Sequence, residues 1–99
     1  MRFPWSSSRA AANAWQRSSR VSAVRHGEKL VLMDLDREQF YSLDGVAGRL
    51  WELLDEPTSP EAVTDRLVIE YDAPREVIER DVLECLGQMR RDGLVRVGR

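Results

Sequence analysis

Residues 30–56, LVLMDLDREQFYSLDGVAGRLWELLDE, constrain the fold of this chain more than any other segment. Lys29 to Leu35 is almost continuously apolar, which predicts a strand covered to some extent on both faces. Asp36-Arg37-Glu38 supplies a polar turn, and Gln39 to Leu43 returns as a second strand in which Tyr41 and Leu43 share the core-facing side. Asp44 stands where a helix N-cap accepts from free backbone amides, and Val46, Ala47, Leu50, Trp51 and Leu54 follow at helical spacing. A hairpin that feeds straight into an amphipathic helix can leave a strand edge open beside helical surface, an arrangement suited to capturing an extended peptide.

The flanking sequence completes an α+β pattern. A strand from about Arg20 to Arg25 ends at the His26-Gly27 break, so three strands form a meander. Two candidate caps stand before a second helix: Thr58 with Glu61 reaching back, or Ser59 with Pro60 in the first turn. Val63, Leu67 and Tyr71 mark its buried stripe. A third helix begins near Ala73-Pro74, carries Ile78, Val82, Cys85, Leu86 and Met89 on its core side, and stops at Gly93 in the left-handed conformation. Leu94, Val95 and Val97 form either a short closing strand or a loosely packed tail. The expected order is a three-stranded antiparallel sheet followed by three helices, winged helix-turn-helix-like, with all helices on one side.

Residues 1–18 are rich in Ser, Ala and Arg without a sustained period, and read as a flexible basic tail, with 19–99 as the folded domain. A second reading makes Ala10 to Gln16 a short helix whose Trp15 docks on a partner. Residues 1–27 hold five arginines and no acid, whereas residues 28–99 hold ten basic and seventeen acidic residues, a balance of −7. A body this acidic is poorly suited to phosphate and tolerates or attracts a basic or mixed-charge peptide.

Catalytic and metal chemistry find little support. His26 is the one histidine and adjoins a turn glycine, and Cys85 is the one cysteine. Together they supply neither an oriented nucleophile and base nor four zinc ligands. Asp34, Asp36 and Glu38 lack the glycine and distal glutamate of a calcium loop and read as solubilising the hairpin. Gly45 and Gly48 lack the Lys and Ser or Thr of a nucleotide loop. No enzyme activity, cofactor or metal is expected. The lone cysteine, the lack of a bilayer-length apolar run and the lack of a secretory hydrophobic segment predict a cytoplasmic chain with no membrane partner.

The segments VLMDLDREQFYSLDGVAGRLWELLDE, TSPEAVTDRLVIEY and DVLECLGQMRRDGLV, in this order, resemble the PqqD-like proteins, the precursor-recognition domains of ribosomally made, modified peptides. The likeness covers roughly residues 20–97: a hydrophobic strand, an aromatic pair before Leu-Asp, an Ala-x-x-Leu-Trp helix, and a last helix closed by Gly-Leu. It implies a non-catalytic binder to which a precursor's leader peptide adds as an antiparallel strand. The leader would lie along Gln39, Phe40, Tyr41, Ser42 and Leu43, against a third-helix wall of Val77, Arg80, Asp81 and Glu84. Phe40 is the first choice for an aromatic pocket residue. A freestanding domain of this length resembles the leader-binding proteins of lasso-peptide pathways, whose partners are a leader-cleaving cysteine protease and an ATP-dependent cyclase; radical-enzyme pathways use the same form. The basic, Trp-containing N-terminal segment is not part of the family pattern. The competing reading is a winged-helix DNA-binding regulator, but residues 58–71 offer Arg66 alone against Glu61, Asp65 and Glu70, and no nucleic-acid partner is expected.

Overall fold

A computed structural model describes residues 14–98. The elements are β1 (Trp15–Arg17), β2 (Val21–His26), β3 (Lys29–Asp34), β4 (Gln39–Leu43), α1 (Gly45–Leu53), α2 (Pro60–Glu70), α3 (Arg75–Arg91) and β5 (Val95–Val97). Strands β2, β3 and β4 form the antiparallel meander, in that order, and β1 pairs with β5 in a separate two-stranded ribbon. The α+β class with three strands and three helices is as expected; the ribbon is additional.

Alternation sorts the meander into two faces. Leu30, Leu32 and Asp34 of β3 are buried, and they oppose Leu43, Tyr41 and Gln39 of β4. Leu30 and Leu32 join Leu50, Trp51 and Leu54, then Val63 and Leu67, then Ile78, Val82, Leu86 and Met89 in one core between sheet and helices. The opposite face of the sheet carries Val31 and Met33, half-buried, with Val24 52% and Phe40 65% exposed. The apolar run in β3 therefore reflects a fully buried face and a thinly covered one. Leu35 lies beyond the strand, in the turn, and is exposed.

Helix boundaries follow local chemistry. Ser59 caps α2 by accepting from the Ala62 amide at 3.1 Å, with Pro60 as the first helical residue. Thr58 is not the cap; its backbone pairs with Trp15, each donating to the other at 3.0 and 2.6 Å. Asp44 occupies the N-cap position of α1 without a side-chain bond, because the chain enters this helix through a left-handed Gly45, with φ 57°. Gly93, with φ 78°, ends α3: its amide donates to Arg90 O, and the Leu94 amide donates to Met89 O. Those two bonds satisfy the last carbonyls, and Leu94 turns inward to near-complete burial.

The segment expected to be a tail up to residue 18 is structured from Ala14 onward. Trp15, Gln16 and Arg17 pair with Val97, Arg96 and Val95, so Trp15 and Gln16 lie in a strand rather than in a helix. The remainder of the basic segment, including most of the alternative helix Ala10 to Gln16, lies outside the described residues. Arg17 explains why β1 belongs to the fold. Its guanidinium lies 5.2 Å from the centre of the Trp51 ring and donates to Trp51 O at 2.8 Å and Glu52 O at 3.2 Å, capping the end of α1. Arg17→Ala is expected to destabilise the domain by about 1–2 kcal/mol, from lost charge-assisted bonds and cation–π contact, read as a lower urea midpoint at unchanged m-value. No helix among the described residues is long and apolar enough to cross a membrane.

Candidate functional site

Hydrogen-bond alternation identifies which strand groups are free. The two-residue loop Gly27-Glu28, with positive φ at Gly27, makes His26 and Lys29 a hydrogen-bonded pair. Bonded and non-bonded pairs then alternate along the ladder, so Lys29, Val31 and Met33 direct their backbone groups toward β2, and Leu30, Leu32 and Asp34 toward β4. Through the β3–β4 register, Leu43, Tyr41 and Gln39 spend their backbone groups on β3. Phe40 and Ser42 therefore point N–H and C=O outward from an edge that is unpaired among the described residues.

The opposite wall is α3, which runs antiparallel to β4. At the Gln39 end, the Arg37 guanidinium donates to Asp92 O at 3.3 Å, fixing the hairpin turn to the end of α3. At the Leu43 end, β4 leads into α1, whose Val46 joins Leu67, Tyr71, Ala73, Val77, Ile78 and Asp81 around an apolar cleft of ≈ 90 Å³. Strand edge and cleft are thus consecutive along one track. The cleft lies beside the end of β4, through Val46 of α1.

Of the residues proposed from sequence, Val77 and Asp81 line the cleft. Arg80 and Glu84 lie within one turn of them on the same side of α3 and are exposed, and no ion pair among the described residues includes Arg80, Asp81 or Glu84. Tyr41 and Leu43 pack on the core. Phe40, expected in an aromatic pocket, is absent from the cleft lining; it stands on the outer face, opposite Met33. Its exposed ring can meet only outward-directed side chains of an added strand. Val46, Leu67 and Tyr71 were not anticipated as site residues, because their helical spacing marks them as core, and neither was Ala73, in the connection between α2 and α3.

Asp34 departs most from expectation. Rather than solubilising the hairpin it is fully buried, accepting from Arg20 Nε at 3.2 Å and from the Arg37 amide at 3.3 Å. Arg20 continues to Gly93 O at 3.3 Å. One carboxylate thus organises two arginines that hold the end of α3, and so the spacing between α3 and β4.

The titration of other groups follows from their neighbours. Burial, with Asp81 and Glu84 nearby, pushes the half-buried Cys85 thiol up, leaving it a poor thiolate at neutral pH. Arg49 donates to both Glu70 oxygens at 2.8 Å, tying α1 to α2 and holding Glu70 below the usual carboxylate range. A depressed folded-state pKa stabilises above the unfolded value and is lost as pH falls through the folded one. The stability difference between wild type and Glu70→Gln is therefore expected to be fully present at neutral pH and to be lost progressively as the pH falls below the unfolded-state value of about 4.3. Urea melts at several pH values measure this.

These features define a small α+β domain with a sheet edge and a helix framing one track. The chain belongs to the PqqD family: the model for coenzyme PQQ synthesis protein D matches residues 29–95. A relative named PqqA binding protein, from Gluconobacter oxydans (strain 621H), is 38% identical over 52 residues, 52% of this chain and 54% of its own, so the match spans about half the length of that relative. Among solved structures, TbiB1 in complex with the TbiA(beta) leader peptide is similar at TM-score 0.76 and 30% identity, over 82% of this chain and 94% of its own. Lasso peptide synthetase B1 complexed with the leader peptide shares the fold at TM-score 0.74 and 22% identity, over 83% of this chain and 96% of its own.

Proposed function

We propose that this protein is a non-catalytic recognition element that captures the leader of a ribosomally synthesised precursor peptide by strand addition to β4. The outward backbone groups of Phe40 and Ser42, beside a cleft bounded by α3, carry this reading. The main-chain ladder supplies affinity without regard to sequence. Selection comes from Val77, Asp81 and their neighbours in the cleft, while Arg80 and Glu84 meet charges on the leader and Phe40 covers its outward side. The captured precursor is delivered to maturation enzymes on other chains, with a lasso-peptide leader protease and cyclase the favoured recipients. Family membership, the PqqA-binding relative and the leader-bound TbiB1 structure support this reading.

A DNA-binding role is disfavoured by α2, where Arg66 pairs weakly with Glu70 at 4.0 Å and Asp65 is held by Arg75 at 2.7 Å. The test is fluorescence polarisation of a labelled leader, taken from a short precursor gene beside this one, with a duplex DNA control. Saturable leader binding at micromolar protein, without DNA binding, is expected. DNA binding without leader binding would overturn the reading.

A further inference from the structure

We infer that the outer face of the meander, Val24, Val31, Met33 and Phe40 with His26 and Lys29 at one end, is the docking surface for the enzyme that matures the captured precursor, and that a bound leader completes it. The partner surface it fits is apolar with carboxylates at its rim. The inference rests on β4 being the leader-binding edge.

The face is assembled by register. Ser22, Met33 and Phe40 lie in one row across the three strands, Val24, Val31 and Ser42 in the next, and His26 with Lys29 in a third. These positions point away from the helices, because Leu30 and Leu32, at the alternate positions of β3, are buried in the core. Val24 and Phe40 are exposed at the two sides of the half-buried Val31 and Met33, so the apolar side chains form one patch. Such a patch on a solvent face marks an interaction surface. The other exposed large apolar residues of regular elements, Ile69 and Leu83, lie on separate helices.

Charge selects the partner. Residues 28–99 are net acidic, yet no strand position on this face holds an acid, and neither His26 nor Lys29 makes an ion pair among the described residues. A surface with carboxylates beside apolar side chains is attracted here and repelled by the acidic remainder.

Size couples docking to loading. Three strands about 4.8 Å apart and about six residues long make a face of roughly 300 Å², well short of the ~800 Å² per partner of a stable interface. That is too little to hold a second copy of the chain. A leader strand on β4 enlarges the face by about a third. Leader residues opposite Phe40 and Ser42 share the face of those side chains and lengthen the two rows, while those opposite Tyr41 and Leu43 turn toward the helices. Alternate leader residues thus anchor the precursor and present it. An enzyme seated on the face touches chain and leader at once, and so favours the loaded form.

Val24→Glu and Lys29→Glu test the inference. Both positions are exposed, Val24 lies on β2, and Lys29 has no partner in β4. The maturation enzyme encoded beside this chain and its precursor gene is titrated by interferometry against the empty and the leader-loaded protein. Wild type is expected to bind it at least fivefold more tightly when loaded. Each variant is expected to bind it at least tenfold more weakly than wild type, with leader affinity and urea midpoint unchanged. Equal binding of loaded and empty wild type overturns the inference. So does a mass that falls on dilution and is monomeric in Val24→Glu, which assigns the face to a second copy. Leader binding with enzyme binding insensitive to both substitutions refutes the docking face alone. Failure of the leader to bind wild type refutes the leader reading, and the docking face is then decided by whether Val24→Glu weakens enzyme binding to the empty chain.

Discussion

Ser42→Pro is expected to weaken leader binding by roughly 30- to 100-fold while leaving the domain folded. The expectation rests on the direction of one amide. Ser42 directs its N–H away from β3, as the alternation from the Gly27-Glu28 loop requires, so proline removes no bond of the existing sheet. It removes one donor to the incoming strand, leaves that strand's carbonyl unsatisfied and places a ring at the contact. A lost bond with an orphaned partner costs about 2–2.8 kcal/mol here, which is that loss of affinity. Tyr41→Pro would break the β3 ladder and unfold the strand, so the pair separates binding from folding. Fluorescence polarisation with urea melts of both variants reads the contrast. Equal loss of affinity and stability at Ser42 would show that its amide serves the sheet, and would move the binding edge elsewhere.

The contrast between Ser42 and Tyr41 was legible in the sequence only in part. Two-residue periodicity places Tyr41 and Leu43 inward and Phe40 and Ser42 outward, and both assignments hold in the structure. The same periodicity also carried Asp34 inward with Leu30 and Leu32, but an acid beside Asp36 and Glu38 resembles a solvated turn. Only its arginine partners, one in the loop before β2 and one in the hairpin turn, distinguish a buried acid from an exposed one. The strand β1 was out of reach for another reason. Three residues have no period of their own, and Trp15 to Arg17 become a strand because Val95 to Val97, at the far end of the chain, pair with them. The cleft is similar: Val46, Leu67, Tyr71 and Val77 occupy ordinary helical core spacing, and the space among them exists only because three helix ends converge without closing.

Asp34→Ala is expected to destabilise the domain by about 3 kcal/mol, near the upper end for removing a buried, hydrogen-bonded carboxylate. For a domain of this size that lowers Tm by roughly 12–24 °C. The side chain is fully buried and receives the Arg20 guanidinium and the Arg37 amide, and these arginines reach Gly93 O and Asp92 O in turn. Its loss leaves a void on the core face of β3 and two guanidinium groups without their carboxylate, so the tie between the end of α3 and the hairpin rests on the Gly93 and Asp92 carbonyls alone. Asp34→Asn preserves volume and is expected to cost less, because the amide oxygen can still accept from the Arg37 backbone. The double-mutant cycle of Asp34→Ala with Arg20→Ala isolates the pair, and a coupling of at least about 1 kcal/mol is expected. Arg20 also fills the space at Gly93, where an added Cβ would lie 2.9 Å from its Nη2 and 2.8 Å from Arg37 Nη1. Gly93→Ala therefore combines left-handed strain with displacement of both arginines, and its effect is expected to be less than additive with Asp34→Ala. Full additivity of these two changes would mean that the arginines hold α3 without the carboxylate, and that β4 and α3 are spaced by core packing alone.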